Sequence, residues 1–306
     1  MPESITSKQA KSLGAIGFIC WLLFAATKLP VSPFQINYVQ ILILAVPTFL
    51  LPFCGFLLRF SKKSLIIGLL TSLLLLVSFV MEKSALAAVL SIPWLLWTIW
   101  MALTEFQKWF KNKTFQIAPL NLLAASLFLP VGAAWAFADR LDFRPMDFDA
   151  TITLLTAAHF HYAGFILPLL TGLILQKIQN IWAKMAGIGV IIGVPLVAVG
   201  ITTSHYLLPE FIETACVTIL ASSAFIIAFL HLALAFKIKK KTSWLFVLSG
   251  FALMTGMLLA MGYGWRYYFP ISFLSIPWMY AVHGTLNALG FALPGIVGWF
   301  LKVKQR

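Results

Sequence analysis

Charged side chains are scarce in this sequence: Asp, Glu, Lys and Arg make up only 10% of its 306 residues. A soluble domain carries about a quarter charged residues, so the chain has no sizeable soluble domain. Apolar runs of about 20 residues recur instead, which is the length that crosses the hydrocarbon core of a bilayer. The composition therefore predicts a multi-pass membrane protein whose surroundings are membrane lipids.

Cysteine and acidic residues are also few. The three cysteines, Cys20, Cys54 and Cys216, form no CxxC pair and are interpreted as small apolar residues. Nine acidic residues against 22 basic ones give a net charge of +13. The basic residues stand in short clusters between apolar runs, which is typical of orientation signals. No nucleic-acid partner is therefore expected.

The apolar runs are predicted to be helices, because a backbone inside the bilayer must satisfy its own hydrogen bonds and alternating barrel segments are absent. The expected fold class is an all-α bundle of about ten transmembrane helices. It forms one polytopic domain, 1–306, with 1–138 as scaffold and 151–301 bearing the histidines. The predicted spans are 13–28, 38–58, 64–81, 84–103, 117–138, 151–175, 183–204, 214–236, 243–262 and 276–300.

Basic residues are distributed unevenly between the two sides of the membrane. The termini and the loops after even-numbered spans hold 17 Lys and Arg, and the loops after odd-numbered spans hold 5. Because cytoplasmic loops carry the excess of Lys and Arg, both termini are predicted to be cytoplasmic. The expected location is the bacterial cytoplasmic membrane.

Histidine is absent from the first half of the chain. Ionisable groups within a span are costly and usually face the bundle interior and a function. His159, His161 and His283 should lie roughly 10–15 Å below the outer ends of their helices, at a rise of 1.5 Å per residue. The sequence predicts that these three bind a metal or another ligand, with Tyr162 and Asn287 as supporting partners.

The spacing of these residues along their helices makes the predicted site more specific. His159 and His161 point roughly 200° apart on an α-helix, so they are expected to address two different neighbours. His283 and Asn287 are four positions apart and share one helix face. Three residues at the outer boundary of spans 7 and 8 are weaker candidates for a metal site, with solvated loop acids as the alternative: His205, Glu210 and Glu213.

Residues 158–162, AHFHY, resemble the motif in subunit I of haem–copper oxidases, where the two histidines face two haems across one helix. The rest of that pattern is missing. The first half has no histidine, no His-His pair is present for copper, and that family has more spans. A respiratory oxidase is therefore not favoured, while a metal ion, one haem or a quinone stays open.

Over the whole chain the better resemblance is to the YndJ-like bacterial membrane proteins. It is carried by residues 159–165, HFHYAGF, and 283–291, HGTLNALGF. The resemblance implies a polytopic cell-membrane protein, sometimes labelled a transporter, and brings no catalytic residues.

Three function classes remain. The first is a binding or redox protein that holds a metal, haem or quinone-like ligand. The second is a secondary transporter of a small solute, since ten spans divide into five plus five. The third is a membrane-embedded lipid hydrolase, although Ser204-His205 is only a dipeptide and GxSxG and HExxH are absent. The sequence leaves open whether the protein is an enzyme, what its substrate is and whether it forms oligomers.

The predicted orientation can be tested with reporter fusions. Green fluorescent protein fused after Arg306 should fluoresce, and alkaline phosphatase at the same position should be inactive, because that end is predicted to be cytoplasmic. The matched control is phosphatase inserted in the 139–150 loop, which should be active. An inactive loop fusion together with an active terminal fusion would contradict the prediction.

Overall fold

The computed structural model describes residues 4–238 and 241–304. Within them, ten helices are long and apolar enough to cross a membrane, which confirms the predicted all-α class. They are α1 (Ser7–Thr27), α2 (Ile36–Leu57), α3 (Lys62–Val80), α4 (Ala85–Asn112), α5 (Ile117–Arg140), α6 (Ala150–Leu175), α7 (Ile181–His205), α8 (Glu210–Lys237), α9 (Ser243–Gly264) and α10 (Ile276–Val303).

Two helices extend beyond the apolar runs that predicted them. α1 begins at Ser7 rather than near residue 13, because Thr6 and Gln9 form a capping box. The Gln9 N–H donates to Thr6 Oγ1 at 3.3 Å, and the Thr6 N–H donates to Gln9 Oε1 at 3.0 Å. α4 continues past residue 103 to Asn112. Hydropathy therefore located the membrane-crossing parts, and side-chain capping set the start of α1.

The chain divides into two compact units. Unit 1 comprises the described residues of Met1–Lys111, Ser126–His161 and Ile296–Arg306. Unit 2 comprises Asn112–Ala125 and Tyr162–Gly295. The chain passes from one unit to the other inside α5, α6 and α10, and in α6 it does so directly after His161. Unit 1 thus holds α1 to α3 and nearly all of α4, and unit 2 holds α7 to α9.

In unit 1, α1 approaches the backbone of α2 very closely. A Cβ atom at Gly17 would lie 2.0 Å from the carbonyl oxygen of Thr48, so only glycine fits. α2 is π-helical over Ala45–Leu50. Pro47 lies in this stretch and has no N–H to continue an α-helical ladder, which accounts for the local change of geometry.

Two basic side chains hydrogen-bond to carbonyl groups at the C-terminal end of α3. Arg140 at the end of α5 is 2% exposed, and its Nη1 donates to the carbonyls of Ser78 at 3.1 Å and Met81 at 3.2 Å. Lys28, directly after α1, donates to the carbonyl of Phe79 at 2.9 Å. The last carbonyls of a helix lack intrahelical donors and form the negative end of its dipole, so these cations stabilise it in two ways.

The same arginine is neutralised by a buried carboxylate. Arg140 Nε and Nη2 lie 3.0 and 2.9 Å from Asp139 Oδ2, and Lys83 Nζ lies 2.8 Å from Asp139 Oδ1. The guanidinium also lies 4.4 Å from the ring centroid of Phe79. Burial, and then the charge of Arg140, lower the pKa of Lys28. The cluster thereby joins α1, α3 and α5 with the segment that precedes α4.

Unit 2 packs through small residues. A Cβ atom at Gly193 of α7 would lie 2.9 Å from the Cα of Leu220 in α8. One at Gly250 of α9 would lie 3.0 Å from the carbonyl oxygen of Ala228, also in α8. Helices in lipid associate through such close packing, because lipid tails are as apolar as the side chains. α8 is therefore the central helix of this group of three.

Replacement of Arg140 should destabilise the protein strongly. In R140Q, Asp139 remains buried with one ion-pair partner fewer, and the carbonyls of Ser78 and Met81 lose a cationic donor. We expect the free energy of unfolding to fall by about 3 kcal/mol. The matched control is R144Q, since Arg144 is exposed, and its effect should be within about 0.5 kcal/mol. Thermal unfolding in detergent measures both, and equal stabilities would contradict the role given to Arg140.

Candidate functional site

The two histidines of α6 stand where that helix changes geometry. α6 is α-helical over Ala150–His159 and π-helical over Phe160–Ile166. Its start is fixed by Asp149, whose Oδ1 accepts from the Ile152 N–H at 2.9 Å. A π-helical stretch widens one turn by a residue and is frequent at functional sites. His161 lies within this wider turn.

His161 is completely buried in unit 1. Its Nδ1 lies 2.8 Å from the carbonyl oxygen of Ala157, which can only accept a hydrogen bond. In the neutral ring Nδ1 therefore carries the proton and Nε2 keeps its lone pair. Nε2 is buried and has no hydrogen-bond partner among the described residues. Such a buried acceptor costs about 1–3 kcal/mol of stability, so it calls for an explanation.

An aromatic stack of α4 lies beside this histidine. The rings of Trp94 and His161 are nearly parallel, at 14°, with centroids 6.3 Å apart. Trp94 also stacks on Trp97 at 5.3 Å, and Trp97 Nε1 donates to the carbonyl of Ser64 at 3.1 Å. Trp94 itself is fully buried, and its Nε1–H has no acceptor among the described residues. Two stacked rings therefore each carry a polar atom without a partner among the described residues: the acceptor Nε2 of His161 and the donor Nε1–H of Trp94.

Gly132 of α5 limits the space around the histidine from another side. A Cβ atom there would lie 2.8 Å from His161 Nδ1 and 3.1 Å from the Cβ of Phe160. The absence of a side chain at this position lets α5 contact the π-helical turn directly. The orientation of the His161 ring is thus fixed by Ala157, Trp94 and Gly132 together.

The other two residues of the HFHY motif have different surroundings. His159 is half-buried in unit 1, and its ring meets Phe160 edge-on at 5.5 Å. Tyr162 is half-buried and is the first residue of the unit 2 segment 162–295. Within the motif, His161 is therefore the residue whose geometry best suits a ligand.

His283 lies in unit 2, and both of its ring nitrogens are engaged there. Nδ1 lies 2.8 Å from the carbonyl oxygen of Gly256 in α9. Nε2 lies 3.0 Å from Asn287 Nδ2, and that amide also donates to the His283 carbonyl at 2.9 Å. A metal or haem iron needs a ring-nitrogen lone pair, and here the Asn287 amide occupies it. This geometry is that of a histidine that connects α9 with α10.

His231 is a further connecting histidine of unit 2. Its Nδ1 lies 3.0 Å from Ser249 Oγ, and that hydroxyl donates to the carbonyl of Phe291 at 3.0 Å. Since the serine has only one proton to donate, it must accept from His231 Nδ1–H. The chain of bonds links α8, α9 and α10 in the membrane interior.

The three weaker candidates, His205, Glu210 and Glu213, differ in how far their side chains are exposed. His205 and Glu210 are exposed at the end of α7 and the start of α8. Glu213 lies in the first turn of α8, not in a loop, and is only 3% exposed. Its two oxygens lie 2.8 and 2.9 Å from Nη1 and Nη2 of Arg266. Burial opposes the charge of Arg266, but the hydrogen bonds that Arg266 donates to Glu213 outweigh this effect and raise the pKa of Arg266. Glu213 therefore serves an ion pair.

A three-ligand metal site is not found in the part of the chain that the structure describes: no three His, Cys, Asp or Glu side chains there are placed to hold an ion.

Trp94 and Gly132 belong to the helices that the sequence assigned to scaffold. The available signal was Trp94 and Trp97, two N–H donors three residues apart inside an apolar span. Only packing reveals which of the two finds an acceptor.

Comparison with known proteins gives one family. The family described as YndJ-like protein matches residues 42–291. The "Uncharacterized membrane protein YndJ" of Bacillus subtilis (strain 168) is 30% identical over 209 residues, which make up 67% of this chain and 37% of the relative. The chain therefore aligns with little more than a third of that relative's length. No solved structure matches the chain.

The close packing around His161 can be tested at Gly132. In G132A the new methyl group would meet the imidazole and Phe160, so the free energy of unfolding should fall by about 1–3 kcal/mol. The control is G262A, where a Cβ meets only the flexible ends of Leu274 and Ile271. Because alanine favours helix over glycine, G262A should be neutral or up to about 1 kcal/mol more stable. Thermal unfolding in detergent compares them, and a G132A protein as stable as G262A would refute the packing argument.

Proposed function

This chain belongs to the YndJ-like family of multi-pass membrane proteins, and from that premise we propose that it binds a quinone-like headgroup inside the membrane. The family resemblance of residues 159–165 and 283–291 is confirmed by the match over 42–291. One observation carries the proposal: the acceptor His161 Nε2 and the donor Trp94 Nε1–H are both buried, and neither has a hydrogen-bond partner among the described residues.

A quinol hydroxyl complements both atoms of this pair, because it donates and accepts, and the oxidised quinone complements one of them. The carbonyl oxygen of a quinone accepts a hydrogen bond and suits the Trp94 N–H, whereas the hydroxyl of a quinol donates one and suits His161 Nε2. A planar ring also suits stacked aromatic side chains. Such a molecule is neutral and dissolves in the bilayer, so it can reach a site within a span. The expected setting is the bacterial cytoplasmic membrane, where quinones are held in the lipid.

A haem or a metal ion would use the same histidine differently. Either would take the lone pair of His161 Nε2 as a ligand and leave the Trp94 donor without a partner. His283, the second predicted ligand, has both ring nitrogens in hydrogen bonds within unit 2. The donor and acceptor pair thus favours an organic ligand that forms hydrogen bonds.

A transporter of a small polar solute is the second candidate. It is favoured by the irregular course of the helices, since α10 is π-helical over Met279–Gly284 and Leu286–Ala292 and α6 over Phe160–Ile166. Transporters commonly build their solute sites from interrupted helices. In that case the pair formed by Trp94 and His161 would bind a hydroxyl-bearing solute.

The proposal is tested by titrating purified protein with decylubiquinol, which can pair with both atoms, and measuring the dissociation constant by calorimetry. H161F and W94F should each weaken binding by about 3- to 10-fold, because each removes one hydrogen bond. The controls are H205F and W100F, since His205 and Trp100 are exposed, and both should bind within about twofold of the wild type.

Two further measurements test the proposal against haem binding: the stability of W94F and the absorption spectrum of the purified protein. W94F should stay folded and lose only about 1–2 kcal/mol, because the smaller ring leaves a small cavity while a donor without an acceptor is removed. Absence of decylubiquinol binding by the wild type would refute the proposal. A Soret band that is lost in H161F would replace it with haem binding.

A further inference from the structure

The start of α1 and the turn before α3 are joined at one end of unit 1. The Ile5 N–H donates to the carbonyl of Phe60 at 3.2 Å, and Ser4 pairs with Ser61 in an isolated antiparallel bridge. Ile5 and Phe60 are only 4% and 5% exposed. The contact is therefore packed as well as hydrogen-bonded, and it holds the two chain segments together.

Exposed cations flank this contact, which we call the basic junction: Lys8, Arg59, Lys62 and Lys63. Neither stretch that forms it, 4–11 or 57–65, contains an acidic residue. α1 and α3 both begin here without an acid in the first turn, so their dipoles add to the positive potential. Cations that lie within a few residues of one bridged contact repel one another, and a bound anion would reduce that repulsion.

The two ends of α3 differ in how their charges are balanced. At its C-terminal end, Lys83 and Arg140 pair with Asp139, and Asp142 lies 3.5 Å from Lys83. At its N-terminal end, Lys8, Arg59, Lys62 and Lys63 form no ion pair with any residue that the structure describes. The protein therefore neutralises one end internally and presents the other as net positive charge.

We propose that the basic junction binds the phosphate headgroups of anionic phospholipids. α1 becomes continuously apolar from Leu13, and α3 from Leu65, so the cations stand within about two helical turns of the hydrocarbon. This places the ammonium and guanidinium groups at headgroup level, where each basic residue attracts anionic lipid. A membrane lipid fits better than a nucleic acid, because the cations flank membrane-spanning helices rather than an aqueous domain.

The test uses the full chain purified in mild detergent and titrated with phosphatidylglycerol, with bound lipid counted by native mass spectrometry. K8Q/K62Q/K63Q should raise the dissociation constant at least tenfold, since each basic residue near the surface contributes about fivefold. The matched control R144Q/K177Q/K184Q also removes three exposed cations, but from separate places in the chain, so its loss of affinity should be clearly smaller than that of K8Q/K62Q/K63Q.

Three results would overturn the proposal. They are equal losses in the two triple variants, equal affinity for phosphatidylcholine, or binding of phosphatidylglycerol that does not weaken as salt rises. If the triple variant does not purify as a folded protein, K8Q and K63Q made singly should each weaken binding by about fivefold. These outcomes are independent of the quinone proposal, because the basic junction shares no residue with the pair formed by Trp94 and His161.

Discussion

The absence of water in the bilayer interior is the constraint on which this structure depends. Every polar group there must find its partner within the protein. The helical backbone satisfies most of this requirement by itself, and the helix ends need help from other segments. Arg140 and Lys28 supply it for α3 by donating to three of its terminal carbonyls. The same constraint explains why Asp139 is buried only together with two cations.

The buried histidines show how strictly the constraint is met. His283 uses both ring nitrogens between Gly256 and Asn287. His231 donates a hydrogen bond to Ser249, and the Ser249 hydroxyl donates one to the backbone carbonyl of Phe291 in α10. His161 and Trp94 are among the residues that keep a buried polar atom without a partner among the described residues, and their two rings stack on each other. A ligand that complements both atoms would give this stacked pair the hydrogen bonds that His283 makes within the protein.

Much of the architecture was predictable from the sequence because apolar length is a strong signal in membrane proteins. All ten spans followed from hydropathy and from the length that crosses a bilayer. The errors arose where polar contacts act over distance in the chain. Glu213 was assigned to a solvated loop, yet its helical turn is buried against Arg266, which lies 53 positions later. Trp94 lies in a span that the sequence assigns to scaffold, and only the structure shows its indole buried against the ring of His161.

The order of residues alone establishes an all-helical membrane protein with its histidines in the second half, since burial in lipid depends on local composition. It could not rank those histidines, because three imidazoles in apolar spans look alike in sequence. Their roles depend on which donor or acceptor the neighbouring helix brings to each ring nitrogen. Gly256 and Asn287 engage His283, whereas Trp94 brings His161 a stacked ring and leaves Nε2 open. That difference arises from the packing of helices far apart in the chain, which residue spacing does not encode.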